Sequence, residues 1–328
     1  MTGSTKSWRR GVWSLGSLAG LLPLEANAQL PAVPPEAIAQ FERVIGGRVE
    51  AATILGGEQA AAGGIYSFRG GTVAELAITK FGGGGDVAAP RPLTERISWA
   101  PVLLGNLGRI VTENTFAEGY LAGNVMRYEV LAVQAGGGAR FYFDEHLSLA
   151  PLISGIYGHT ENEFEPHNAL GQVVKGLASG TYVDWQADTW SIAPGAEFRY
   201  DWRWGRTTFA FTSRYGFYHT ESFDASSPHV SVDGDSHTWE NKVDADVPLG
   251  WQLFGRELHT GGFFSRSEMF GGISDGLNSD FVNTLNGRLV ADFVGRVWHL
   301  RWFGVGASYF WGDNFGGWSA GVDVRFEF

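Results

Sequence analysis

The sequence predicts an all-β protein, an antiparallel transmembrane β-barrel of about 12 strands with a short N-terminal helix. Three observations carry that reading: long runs of two-residue alternation, aromatic residues near the ends of those runs, and short connections that alternate with long polar ones. Successive side chains of a strand point to opposite faces of a sheet. Trp318, Ala320, Val322, Val324, Phe326 and Phe328 therefore share one apolar face, and Ser319, Gly321, Asp323, Arg325 and Glu327 share a polar one. Residues 189–201 repeat the pattern, with Trp190, Ile192, Pro194, Ala196, Phe198 and Tyr200 opposite Glu197, Arg199 and Asp201. So do residues 207–219, where Phe209, Phe211, Tyr215 and Phe217 oppose Thr208, Thr212 and Arg214. In residues 239–251, Trp239, Val243, Ala245, Val247, Leu249 and Trp251 oppose Glu240, Lys242, Asp244 and Asp246.

A soluble sandwich also alternates, so strand length is the discriminator. These runs reach about a dozen residues, where a globular strand has about 5–6 and a tilted membrane-crossing strand about 9–11. Trp190 and Tyr200, like Trp239 and Trp251, sit where two interfacial aromatic belts would lie. Pro194 removes one ladder hydrogen bond and is the blemish of its strand. Nothing after residue 28 offers about 18 consecutive apolar residues, so no transmembrane helix is expected.

The strands are expected near 72–80, 95–105, 126–135, 137–144, 147–158, 188–201, 205–219, 236–250, 257–268, 284–294, 298–311 and 317–328. An even number puts both ends of the barrel on the periplasmic side. Connections near 145–146, 202–204, 251–256 and 295–297 are then short periplasmic turns. Those near 159–187, 220–235 and 269–283 are long outer loops rich in polar residues and Gly. Two connections fit badly: 106–125 is long for a periplasmic link, and Gly136-Gly137-Gly138 would be a very tight outer turn. Phe81-Gly-Gly-Gly-Gly-Asp86 lacks the Lys-Ser/Thr ending of a phosphate loop and reads as a turn.

The chain divides into three parts. Lys6, Arg9 and Arg10, the apolar residues 11–22 and Ala26-Asn27-Ala28 have the form of a signal peptide over 1–28. Cleavage there removes Lys6, Arg9, Arg10 and Glu25, a net charge of +2, and takes the chain from −11 to −13. Residues 29–64 hold Ile38, Phe41, Val44, Ile45, Val49 and Ala52 at helical spacing; this segment is either a periplasmic tail or a plug in the lumen. The barrel occupies 65–328. A net charge of −11 disfavours nucleic-acid partners, and the absence of Cys excludes thiolate metal sites and Cys nucleophiles.

The terminal Phe328, preceded by Val322, Val324 and Phe326, resembles the assembly signal of bacterial outer-membrane proteins. That likeness implies insertion by the barrel-assembly machinery, a location in the outer membrane, and contact with its lipid and lipopolysaccharide. A 12-stranded barrel preceded by a helical segment also resembles the translocator barrel of autotransporters, here with about forty residues before the first strand and thus no passenger.

Charged residues expected to face the lumen are Glu129, Arg140, Asp144, Glu197, Arg199, Asp201, Arg214, Glu240, Lys242, Asp244, Asp246, Arg288, Asp292, Asp323, Arg325 and Glu327. Paired, they fill a small lumen; as a pore lining, their acidic excess favours cations. No cofactor or metal motif is present. The functional expectation is a non-enzymatic channel or a structural, surface-interaction barrel, with an outer-membrane hydrolase as the alternative. His159, His167, His219, His229 and His237, near Asp184, Asp188, Asp224, Asp233 and Asp235, would supply that alternative with a base at the extracellular rim. No Gly-x-Ser-x-Gly or His-Glu-x-x-His pattern accompanies them.

Overall fold

The computed structural model describes residues 49, 54, 64–70, 74–115, 122–277, 279–293, 300–313 and 315–326. In chain order the strands are β1 (Gly64–Gly70), β2 (Ala74–Asp86), β3 (Arg91–Pro92), β4 (Ser98–Thr115), β5 (Val125–Tyr142), β6 (Leu147–Glu165), β7 (Gln186–Trp204), β8 (Thr207–Ala225), β9 (Asp233–Leu253), β10 (Arg256–Gly271), β11 (Phe281–Asp292), β12 (Leu300–Gly312) and β13 (Phe315–Phe326). Two short helices, α1 (Ala169–Ala178) and α2 (Gly272–Leu277), follow β6 and β10. Each long strand pairs antiparallel with its neighbours, β2 pairs with β4, and β1 pairs with β13 from Gly64↔Gly321 to Gly70↔Phe315. Among the described residues, twelve strands thus close into a ring, with the two-residue β3 as an appendage on β4.

Closure is what the membrane demands, since an open edge in hydrocarbon leaves its N–H and C=O groups without partners. The outer face is apolar: Leu103 and Leu107 on β4, Leu131 and Val133 on β5, Leu149, Ile153 and Tyr157 on β6, and Trp190, Ile192, Phe198 and Tyr200 on β7 are all exposed. The alternate residues are buried, as in β6, where Ser148, Ala150, Leu152, Ser154 and Ile156 point inward. Pro194 lies on the outer column, within a gap of the β7–β8 ladder between Ile192↔His219 and Gly195↔Gly216.

The strand map needs four corrections. Residues 126–135 and 137–144 form one strand, β5, with no turn at Gly136-Gly137-Gly138. The glycines are there because β4 and β6 reach across β5: Val102 and Leu104 pack with Ala150 and Leu152, and a Cβ at Gly138 would collide with the Pro151 carbonyl. Residues 81–86 likewise continue β2, where a Cβ at Gly82 would collide with Asn106. The twelfth strand is instead β1, which the sequence reading missed, and the stretch after 105 continues β4 upward to Thr115. Without the false turn the long connection after β4 falls on the outer side, and the turn between β5 and β6 stays short and periplasmic, as expected. Its Asp144 accepts bonds from the backbone N–H groups of His146 and Leu147, which hold the carboxyl below the usual carboxylate range.

The outer ends of the strands also run further than expected. β6 has 19 residues, or about 60 Å at roughly 3.3 Å per residue, and tilted by about 40° it rises well past an apolar band of about 25 Å. The surplus stands above the membrane. At the other end Phe254 and Gly255 both adopt left-handed backbone, φ 54 and 72, in the tight β9–β10 turn, and a non-glycine residue carries some strain there.

Two substitutions on adjacent positions of β6 separate the faces. Ile153→Arg places a charge in the apolar band and is expected to cost about 2–4 kcal/mol. Ser154→Ala removes one bond from Gln134 Nε2, 3.0 Å, and should cost about 1 kcal/mol. Guanidinium unfolding of the barrel in lipid vesicles measures both.

Candidate functional site

The inward faces divide the lumen into two layers. The periplasmic layer is charged. Arg140 on β5 donates to Asp86 on β2 at 3.0 Å and to Glu197 on β7 at 2.8 Å, and Tyr142 donates to Asp86 as well. Arg199 pairs with Asp201 at 2.8 Å. Arg288 makes a two-pronged bond to Asp244, both arms 2.7 Å, with only 8% of the residue exposed, and its guanidinium also lies over Trp302. Asp246 meets Nδ1 of His259 at 2.7 Å. Lys242 lies over the Phe263 ring. Such pairs are held because each removes a charge that would otherwise sit uncompensated in a narrow, low-dielectric space.

The expected lumen residues occupy the following places. Glu197 and Arg199 alternate with Phe198 and Tyr200, on the column that continues Ala187, Thr189, Ser191 and Ala193. Arg214 shares the column of Ala210, Thr212 and Gly216. Glu240, Lys242, Asp244 and Asp246 continue that of Ser236 and Thr238, and Asp292 that of Arg288 and Val290. Asp323 and Arg325 pair in register with Gly304 and Trp302. Two residues lie elsewhere. Glu129 is on the outer column of β5, bonded to Arg109 at 2.6 Å, because its run continues through the glycines without the slip that a turn would bring. Asp144 is in the turn described above. Of the terminal residues, Val322 is exposed on the outer face, Val324 and Phe326 fall within β13, and Glu327 and Phe328 lie outside the described residues.

The outer layer is apolar, and sequence reasoning did not find it. Inward-facing Ala132, Ile156, Ala193, Tyr218 and Met269 surround Ile54, which is helical and 0% exposed; Ile273 of α2 packs on the same cluster. Above it Val49, also helical and 2% exposed, packs with Trp185, Ala187, Val230 and Val232. Met126, Phe164 and Val183 form a third group, beneath Val174 and Ala178 of α1. The loops are fixed over this layer by local bonds. Asn168 caps α1 at Gly171 N, buried Asn124 accepts from His167 N at 2.7 Å, and Asp184 accepts from Phe164 N at 2.9 Å. The signal was present in Trp185, Val230, Val232 and Ile273, bulky apolar residues inside segments assigned as polar loops. Apart from Val49 and Ile54, residues 1–63 lie outside the described residues.

The five histidines are not brought together. His159, His219 and His237 belong to strands and face outward; His229 stacks on Tyr182, and His167 is exposed. Nδ1 of His159 meets Asp188 at 2.6 Å and Nε2 meets Glu161 at 3.1 Å. Among the described residues no group of three or more His, Asp or Glu side chains is arranged to hold a metal ion.

A closed antiparallel ring with an apolar outer face, a charged inner face and strands long enough to cross a bilayer defines an integral outer-membrane β-barrel. The chain belongs to the solitary outer membrane autotransporter β-barrel domain family, whose model matches residues 97–321. In fold it is similar to the transport unit of the autotransporter AIDA-I from Escherichia coli, at 10% identity and a TM-score of 0.54, covering 87% of this chain and 99% of that one. It is similar too to the β domain of the Bordetella autotransporter BrkA, at 14% identity and a TM-score of 0.53, covering 81% and 100%. No curated protein sequence matches the chain.

The charged layer is tested at its centre. Arg140→Met leaves Asp86 and Glu197 without their shared cation and should cost about 2–3 kcal/mol, below the fully buried range because both carboxylates keep partial exposure. Adding Asp86→Asn and Glu197→Gln to the same chain should restore about half of that loss. The same unfolding titration in vesicles measures the cycle.

Proposed function

We propose that this chain is a non-enzymatic outer-membrane barrel that closes its own lumen with the segment around residues 49–54 and presents its outer loops at the cell surface. The observation that carries this reading is the burial of Val49 and Ile54 among inward-facing side chains of the outer layer. Both are too apolar to sit in an aqueous pore without cost, and together with Trp185 and Ile273 they leave the outer half of the lumen filled. The charged layer beneath then serves stability, and the acidic excess does not select ions because no through-path uses it.

Residues 1–28 act in this proposal as a cleaved signal peptide, 29–64 as the plug-bearing segment and 65–328 as the barrel. The end of β13 serves as the signal that the barrel-assembly machinery reads, with lipopolysaccharide as the outer-leaflet neighbour. A hydrolytic role is disfavoured by chemistry. The imidazole of His159 meets a carboxylate at each ring nitrogen, so neither faces a hydroxyl nucleophile.

Planar-bilayer conductance tests the proposal. The mature chain should insert, show heat-modifiable gel mobility and remain electrically silent. A chain exported with the same signal but lacking residues 29–60 should give stable steps. Equal steps from both chains would establish an open channel and overturn the proposal.

A further inference from the structure

One patch of the lipid-facing wall departs from the apolar rule. Ser213 on β8, Asn241 on β9 and Arg266 on β10 stand in direct register on outer columns, and Glu268 lies two residues above Arg266. Their depth follows from the register of the ring. Followed through its pairings in the two directions, the row of Gly64 meets β7 at Thr189 and at Arg203, fourteen residues apart. Over twelve strands a row therefore slips by about one residue per strand relative to the membrane plane. The row of Arg266 meets β6 at Leu149, four strands away. A slip of about five residues puts Arg266 level with Ile153, inside the apolar band, and Glu268 still below Tyr157 of the outer belt.

Hydrocarbon offers such a patch no partner. An Arg on the lipid face is among the costliest residues a barrel can carry, and ionisable groups within a membrane normally face protein or water. The pair is only partly satisfied within the chain. Nε of Arg266 donates to Oε1 of Glu268 at 2.5 Å, and the guanidinium lies over the Phe281 ring. Among the described residues the terminal nitrogens of Arg266, Oε2 of Glu268 and the carboxamide of Asn241 have no partner. Just below runs a row of small residues, Gly262, Gly287, Ala307 and Ala320, in direct register across β10–β13. A Cβ at Gly287 would meet nothing within 4 Å, and Ala307 and Ala320 are exposed. The wall is low there, and exposed Trp239, Phe264, Tyr309 and Trp318 stand around it. Small residues let membrane segments approach closely enough for polar groups to meet.

We propose that this face of β8–β13 is the contact surface of a two-fold dimer, with a second copy of this chain as its occupant. Charge complementarity selects that occupant. The patch holds one cation, one anion and neutral groups that both donate and accept, so it complements itself, as an isologous interface requires. A two-fold axis along the membrane normal sets Arg266 of each copy against Glu268 of the other, and Asn241 beside its own equivalent. The terminal nitrogens of Arg266 then reach the free carboxylate oxygen opposite, and lipid is excluded from both pairs. The contact uses the outer wall alone, so it is independent of whether the lumen is open or closed.

The test places the purified chain in phosphatidylcholine vesicles, with donor and acceptor dyes on copies carrying Ser231→Cys in an outer loop; the sequence has no Cys of its own. Energy transfer, followed as protein is diluted into lipid, should saturate as a dimer. Arg266→Leu with Glu268→Leu should weaken association about a hundredfold, about tenfold for each of the two pairs. Heat-modifiable mobility verifies each barrel. Chains with Arg266→Glu or Glu268→Arg should each stay monomeric alone and associate when mixed. If the charge variants do not fold, cysteines in the otherwise unchanged wall decide. On oxidation Leu285→Cys, between the polar and small-residue rows, should cross-link to its copy, and Leu107→Cys on the opposite wall should not. A monomeric wild-type chain overturns the proposal, as does undiminished association of the folded leucine variant. So does a failure of the two folded charge variants to associate, or equal cross-linking at positions 107 and 285. Cross-linking of Leu285→Cys to a different protein in the native membrane, with no dimer in vesicles, overturns it too.

Discussion

Everything in this molecule follows from the need to pair backbone N–H and C=O groups where no water can reach them. In hydrocarbon an unpaired peptide group costs several kcal/mol, so a sheet survives only if it has no edge. The seam between β1 and β13 meets that requirement, and β1 is the shortest strand of the ring, seven residues from Gly64 to Gly70. Its brevity is tolerable because β2 and β4 continue the wall on the next ladder over thirteen pairs, from Ala74↔Asn114 to Asp86↔Val102.

Closing twelve strands creates an interior that must be filled, and this chain fills it in two ways. Near the periplasm, ion pairs span neighbouring and distant strands, as where Arg140 joins β2 to β7 across the wall. Toward the outside, apolar side chains meet in the middle, joined by Trp185, Val230 and Ile273 from the loops and by Val49 and Ile54. A third device is local. Where β5 carries Gly136 and Gly138, the side chains of β4 and β6 close over the bare backbone. Each device suits a different depth, since charges need some solvent contact and apolar residues need a dry partner.

The alternation in residues 189–201 and 239–251 was enough to place strands, to give the outer face its apolar character and to reach the barrel class. Period-two patterning is a direct imprint of one face in lipid and the other on the lumen. What stayed hidden has three physical sources. Glycine carries no face information, so Gly82–Gly85 and Gly136–Gly138 read as turns although they are strand. Above the bilayer both faces meet water or protein, so the outer end of β6 loses the code and His159 reads as loop, while His219 and His237 stand at the very ends of the expected strands 205–219 and 236–250. The apolar outer layer of the lumen depends on contacts between segments far apart in sequence, such as Ile54 with Met269, which no local pattern encodes.

The strand length itself links these points. A strand of 19 residues such as β6 is longer than membrane crossing requires, and the surplus is all on the outer side, because the periplasmic turns are tight and end in exposed Trp204, Trp251 and Phe254 at the inner interface. A taller outer wall does two things at once. Inside, it gives loops with bulky apolar residues a rim deep enough to bury them, which a barrel ending at the belt would lack. Outside, the strand ladder holds the side chains of that wall in fixed register. A flexible loop could carry the same His and Asp residues, but it could not keep His159 against Asp188 and His219 against Asp235. The extension thus serves both faces: shortening β6–β9 to the bilayer thickness would remove the rim that buries the loops and the ladder that holds these pairs.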